Sequence, residues 1–211
     1  MSSKLSWSIV LLVFVGCETF REPKFNRPYG VRDGTVLVIP FREPARRLWY
    51  GESVRGEFLA GSFVAWARTN ANPNFAEGRA VDDLQRTVRD WQGDEIRLED
   101  WVRLTAPLGV KYVLAGEIEK LALSDPGVVG VLDASVTLSY KVLDVAAGKT
   151  AWERKNYVVR LAKRREFDPP VLDLGSDRKE VEERLLARAG SEIGKDLYGY
   201  KVGPGYNEQE E

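Results

Sequence analysis

The strongest constraint on the fold of this sequence is a stretch of strict alternation near its middle. Every second residue between 133 and 142 is apolar, and the residues between are polar; the apolar set is Ala134, Val136, Leu138, Tyr140 and Val142. Successive side chains of a β-strand point to opposite faces, so this spacing predicts a strand with one dry and one wet face. Residues 146–149 predict a hairpin turn, and residues 150–161 return as an antiparallel partner.

Two further strands and four helices are expected around this hairpin. The continuous apolar run 35–41 is typical of a central strand buried on both faces, and 111–119 gives the fourth strand. A short strand is also expected within 75–81. Helical patterns occupy residues 50–69, 82–91, 95–108 and 177–199. The predicted fold is α/β (α+β), a mixed sheet of about four strands, including a long antiparallel hairpin, packed with about four helices.

The first residues of the chain have the pattern of a secretory signal. Lys4 precedes an apolar stretch that ends at Gly16-Cys17, and charged residues follow. The stretch is shorter than the ~20 apolar residues of a spanning helix, which favours a removable signal. We therefore expect a signal peptide at 1–16, a lipidated flexible tether at 17–33, a single α/β domain at 34–201 and a polar tail at 202–211.

Cys17 is the only cysteine in the chain, so it has no internal disulfide partner. The sequence Phe14-Val15-Gly16-Cys17 resembles the bacterial lipobox, with Phe14 where an aliphatic residue is usual. This resemblance implies that Cys17 is the lipid attachment site, acylated for example with palmitate, and that it becomes the new N-terminus. The alternative interpretation is an ordinary secretory signal with an unmodified cysteine.

Composition argues against several classes of active site. The chain contains no histidine, which removes His-dependent nucleophiles and the commonest metal ligand. No glycine-rich phosphate loop is present, and the formal net charge of −1 gives no global basic field for nucleic acid. Adjacent carboxylates such as Glu182-Glu183 point about 100° apart on a helix and do not form an acid–base pair. We expect no enzymatic activity, no cofactor, no metal site and no small-molecule substrate.

Three segments in order resemble one bacterial envelope superfamily. They are Val36-Leu37-Val38-Ile39-Pro40-Phe41, Leu108-Gly109-Val110-Lys111-Tyr112-Val113-Leu114-Ala115-Gly116-Glu117-Ile118, and Leu143-Asp144-Val145-Ala146-Ala147-Gly148-Lys149-Thr150-Ala151-Trp152. The superfamily includes the curli-secretion lipoprotein, lipoprotein activators of penicillin-binding proteins and the N-terminal domain of the Tol β-propeller protein. The resemblance covers about 35–155 and marks a fold rather than an active site. Within it, Gly116 predicts close packing against a helix or a neighbouring backbone.

The best candidate for partner binding is a short basic and aromatic segment after the first strand. Arg46, Arg47, Trp49 and Tyr50 are of the types enriched in interface hot spots. The alternative is plain packing at the start of a helix.

Together these features predict a non-enzymatic lipoprotein that faces the periplasm and docks to, or helps assemble or activate, another cell-envelope protein complex. Glu18 after the anchor is not the Asp that signals inner-membrane retention, so the expected location is the outer membrane. The alternative function is a subunit of an outer-membrane secretion pore of the curli-secretion type, which needs additional alternating strands.

Overall fold

The alternating segment lies inside a four-stranded mixed sheet. The computed structural model describes Val31 and residues 34–91, 95–124, 133–161 and 178–199. The strands follow the sheet in sequence order: β1 (Val36–Val38), β2 (Tyr112–Ser124), β3 (Asp133–Asp144) and β4 (Lys149–Arg160). β1 runs parallel to β2, and the other neighbours are antiparallel. The predicted fold class and the predicted hairpin are confirmed.

The hairpin between β3 and β4 closes through a local turn and then twists. The Asp144 carboxylate accepts a hydrogen bond from the Ala147 amide at 2.9 Å, and Gly148 takes a positive φ of 59°. The register shifts twice along the pair. At one shift Asn156 has a φ of 53°, and its amide donates to the Ser139 hydroxyl at 3.1 Å.

β1 lies at an edge of the sheet, so the expectation of a central strand was wrong. Its outer side is covered by an irregular segment, because the Val36 amide donates to Asn74 at 2.8 Å and the Val36 carbonyl accepts from Ala76 at 2.9 Å. The short strand expected within 75–81 is reduced to an isolated bridge at Phe75. Both faces of β1 are nevertheless buried, as predicted, since helices lie on each side.

Four helices cover the sheet in two layers: α1 (Val54–Asn70), α2 (Arg79–Arg89), α3 (Leu98–Thr105) and α4 (Arg178–Tyr198). α1 and α4 bury one face of the sheet, together with Leu114, Leu138 and other dry-face residues. α2 and α3 bury part of the opposite face around Leu37, Val113 and Trp101. None of the helices in the described ranges is both long enough and apolar enough to cross a membrane.

Glycines set the closest approaches between these layers. A Cβ on Gly190 of α4 would lie 2.6 Å from the Phe63 amide nitrogen of α1. A Cβ on Gly56 of α1 would lie 1.7 Å from the Phe41 carbonyl oxygen, and one on Gly116 of β2 would lie 2.4 Å from the Phe41 ring. The close packing against a neighbouring backbone predicted at Gly116 is present, since the same Cβ would lie 2.8 Å from the Ser139 carbonyl oxygen.

The second face of the sheet is only partly covered. Glu117, Ser139, Lys141 and Glu153 continue the face that begins with Val113, Ala115 and Leu143, but they lie beyond the residues that α2 and α3 bury. The polar face of the β3–β4 hairpin is therefore an open, charged surface beside the loop that follows β1.

Candidate interaction surface

The loop between β1 and α1 folds back on itself. Pro44–Arg46 form a single 3₁₀ turn, and Arg47 closes it in the left-handed conformation at a φ of 55°. The Glu43 amide donates to the Leu48 carbonyl at 2.8 Å, and the Leu48 amide donates to the Glu43 carbonyl at 3.1 Å. We call residues 42–50 the β1–α1 loop.

A buried carboxylate anchors this loop. Glu43 is 3% exposed, and one of its oxygens accepts a hydrogen bond from the Ser53 hydroxyl. Ser53 is also the N-cap of α1, where its oxygen accepts from the Gly56 amide at 2.8 Å. The Ser53 hydroxyl therefore accepts from an amide in the first turn of α1 and donates to the buried Glu43 carboxylate. These two hydrogen bonds couple the conformation of the loop to the start of the helix.

Arg55 completes the charge balance and ties the loop to α4. Its Nη1 lies 3.3 Å from the second oxygen of Glu43. Its Nε and Nη2 bind the two carboxylate oxygens of Glu182 at 2.5 and 2.7 Å, the bidentate geometry that suits a guanidinium. The hydrogen bond with Glu182 raises the pKa of Arg55 above its usual value.

The four residues predicted to bind a partner are brought to one loop, but they differ in exposure. Arg46 and Arg47 are exposed at its tip, and Trp49 is half-buried. Tyr50 is buried, and its ring meets Trp101 edge-on at 5.9 Å while the Arg42 guanidinium lies 5.7 Å from the ring centre. Burial raises the pKa of Tyr50 to about 12. Cys17, the predicted lipid site, lies outside the described residues.

A shallow groove of about 260 Å³ adjoins the loop on the open face of the sheet. Its charged groups are paired: Arg42 binds Glu117 at 2.7 Å, Lys141 binds Glu95, and Ser139 donates to Glu119. Such a surface can offer hydrogen bonds and ion pairs to a polar partner. Sequence reasoning missed it, although the wet face of the alternating hairpin was the signal.

Within the described ranges, no three Asp, Glu or Cys side chains come together as a metal-binding group.

Comparison with known proteins gives likeness at the level of structure. No protein-family model matches the chain, and no curated protein matches it. The hypothetical protein CT253 from Chlamydia trachomatis is 12% identical, with a TM-score of 0.46, over 78% of this chain and 97% of that one. Lipoprotein GNA1162 from Neisseria meningitidis is 14% identical, with a TM-score of 0.44, over 76% and 98%.

The LpoB C-terminal domain from Salmonella enterica is 13% identical, with a TM-score of 0.40, over 61% of this chain and 83% of that one. The similar solved structures thus include a lipoprotein and the LpoB C-terminal domain, each at low sequence identity.

Proposed function

We propose that this chain is a non-enzymatic envelope lipoprotein that docks to another envelope protein through the β1–α1 loop. The observation that carries the proposal is the rigid mounting of that loop. Glu43, Ser53 and Arg55 fix its base, while Arg46 and Arg47 stand exposed at its tip. A preorganised loop loses little conformational entropy on binding, which favours a recognition role.

The chemistry of the surface fits an acidic or polar protein partner. Two exposed arginines offer guanidinium donors, and Trp49 adds a half-buried aromatic edge beside them. Arg42 and Lys141 in the adjoining groove are already paired with carboxylates. The Arg42 and Lys141 side chains are only 12% and 19% exposed, so we expect both pairs to stay formed when a partner binds. The exposed tip therefore supplies the attraction, and the groove widens the contact.

Localisation and topology complete the proposal. We propose that residues 1–16 are a removed signal peptide, that Cys17 carries the lipid, and that residues 17–33 tether a domain of residues 34–201, followed by a tail. In this arrangement the domain faces the periplasm from the outer membrane. Labelling cells with an alkyne fatty acid tests the anchor: the wild-type chain should incorporate it, and Cys17→Ala should not.

The docking proposal is tested by photo-cross-linking in the native envelope. A cross-linking amino acid at exposed Ala45, in the full chain, should give an adduct with an envelope protein. Arg46→Glu together with Arg47→Glu should abolish that adduct. The matched control reverses two exposed arginines on other elements, Arg160→Glu on β4 and Arg188→Glu on α4, and should leave the adduct intact. Loss of the adduct in both double variants, or its survival in both, would contradict docking through the loop.

A further inference from the structure

α1 carries a second exposed surface, on the side turned away from the sheet. At 100° per residue, Val54, Phe58, Gly61 and Ala65 point within a narrow arc, and all four are exposed. Val54 is 80% exposed and Phe58 is 38% exposed. We call these four residues the outer stripe of α1.

The opposite arc of the same helix is also apolar. Leu59, Ala60, Phe63 and Ala67 are buried against the sheet and α4. A helix that is apolar on both sides is normally covered on both sides. Here the core covers only one side, and the outer stripe leaves a second apolar side in solvent.

Gly61 has no role in packing within the described part of the chain. A Cβ built on it meets nothing within 4 Å, whereas Cβ atoms on Gly56 or Gly190 would collide with backbone. Glycine destabilises a helix interior relative to alanine, so a fold that needs no glycine here gains nothing from it. A glycine here is explained if a second helix backbone packs closely against Gly61. The small side chain of Ala65, one turn further on, also permits that close approach.

Charges on the edge of the stripe specify the orientation of that helix. Glu57 stands at the N-terminal end of α1 and Arg68 at the C-terminal end, both on the same side of the stripe. Their present partners, Arg89 for Glu57 and Glu77 for Arg68, are also solvent-exposed. Exposed pairs of this kind are weak and leave the charges available to a neighbour.

We propose that the outer stripe binds a second copy of this chain, with the two α1 helices antiparallel and crossing at Gly61. About such a twofold axis, Phe58 lies beside Ala65 of the other copy. Glu57 and the other copy's Arg68 are then offset by three residues, ~4.5 Å along the axis, which an arginine side chain spans. The outer stripe shares no residue with the β1–α1 loop, so the dimer and the docking proposed above can be tested separately.

Cysteine cross-linking tests the contact at its centre. With the gene expressed in full, Gly61→Cys should give a disulfide-linked homodimer of twice the mass of the monomer on mild oxidation in the native envelope. Ala187→Cys, an exposed position on α4, and the wild-type chain with Cys17 alone should give none. No homodimer from Gly61→Cys would overturn the proposal. If the introduced thiol then reacts freely with a maleimide, the stripe is uncovered. If the thiol is unreactive, another segment or protein covers the stripe. Either result overturns the proposal.

Charge reversal tests the orientation. Sedimentation of the full chain in detergent should show weaker dimerisation for Glu57→Arg and for Arg68→Glu, and recovery in the variant carrying both. Phe58→Lys should weaken dimerisation by about tenfold or more, while Val158→Lys, an exposed apolar residue of β4, should not. A double variant no better than the single ones would refute the antiparallel pairing. Equal effects of the two lysine substitutions would refute the stripe itself.

Discussion

Replacing Gly190 by alanine should destabilise the domain through the contact between α4 and α1. The added Cβ would lie 2.6 Å from the Phe63 nitrogen and 2.8 Å from the Ser62 Cβ. These atoms belong to the backbone or its first side-chain carbon, so they cannot rotate away and the helices must separate. Overpacking costs about 1–3 kcal/mol, and we place this site near the upper end. The better helix propensity of alanine returns ~1 kcal/mol, leaving a net loss of about 2 kcal/mol.

Thermal unfolding of the folded domain measures this loss. For a chain of this size, each kcal/mol moves the melting temperature by about 2–4 °C, so Gly190→Ala should melt about 4–8 °C below wild type. Gly61→Ala is the matched control, since its Cβ enters open space. At concentrations where sedimentation shows a monomer, it should melt slightly above wild type because only the propensity term applies. A Gly190→Ala protein that melts at or above wild type would refute the reasoning.

Three further predictions concern the β1–α1 loop and its base. Ser53→Ala removes the cap of α1 and the hydroxyl that donates to buried Glu43, so urea unfolding should show a loss of about 2 kcal/mol, and a variant as stable as wild type would contradict this. The pKa of Tyr50 is about 12 in the folded chain and 10.0 when unfolded, so its phenol contributes stability that is complete below pH 10 and is lost as pH rises towards 12. Unfolding free energies should therefore fall more steeply over that interval in wild type than in Tyr50→Phe, and parallel curves would contradict this. Arg47→Gly relieves a left-handed backbone and should leave stability unchanged or raise it by up to ~1 kcal/mol, while the adduct from position 45 weakens.

The sequence predicts the strand pattern well where the period is undisturbed. The alternation from 133 to 142 and the turn at Gly148 locate β3 and β4 almost to the residue. β2 is longer than the predicted 111–119. The alternating pattern does not predict its second half, because the register with β3 shifts between Ile118 and Lys120. After the extra residue the phase of alternation changes, so Ile118 and Leu121 both contact the helical side. A period of two cannot follow a strand through such a bulge.

The position of β1 could not be read from its composition. Burial on both faces follows equally from a central strand and from an edge strand that helices and residues 74–76 cover. Arg46 and Arg47 are exposed at a loop tip, as the basic segment after the first strand predicts. The inward turn of Tyr50 onto Trp101, and the pairing of Arg55 with Glu182 across 127 residues, depend on tertiary contacts that no local pattern encodes.

The two outer strands of the sheet are poor templates for further strand pairing. The outer side of β1 is occupied by the segment at Asn74 to Ala76, which takes up the hydrogen-bonding groups of Val36. β4 carries two register shifts, a left-handed Asn156, and charged residues at Lys149, Lys155 and Arg160. Bulges and charges of this kind prevent edge-to-edge growth. Copies of this domain can thus meet often without edge-to-edge growth of the sheet, and their association is left to the faces of helices and to loops.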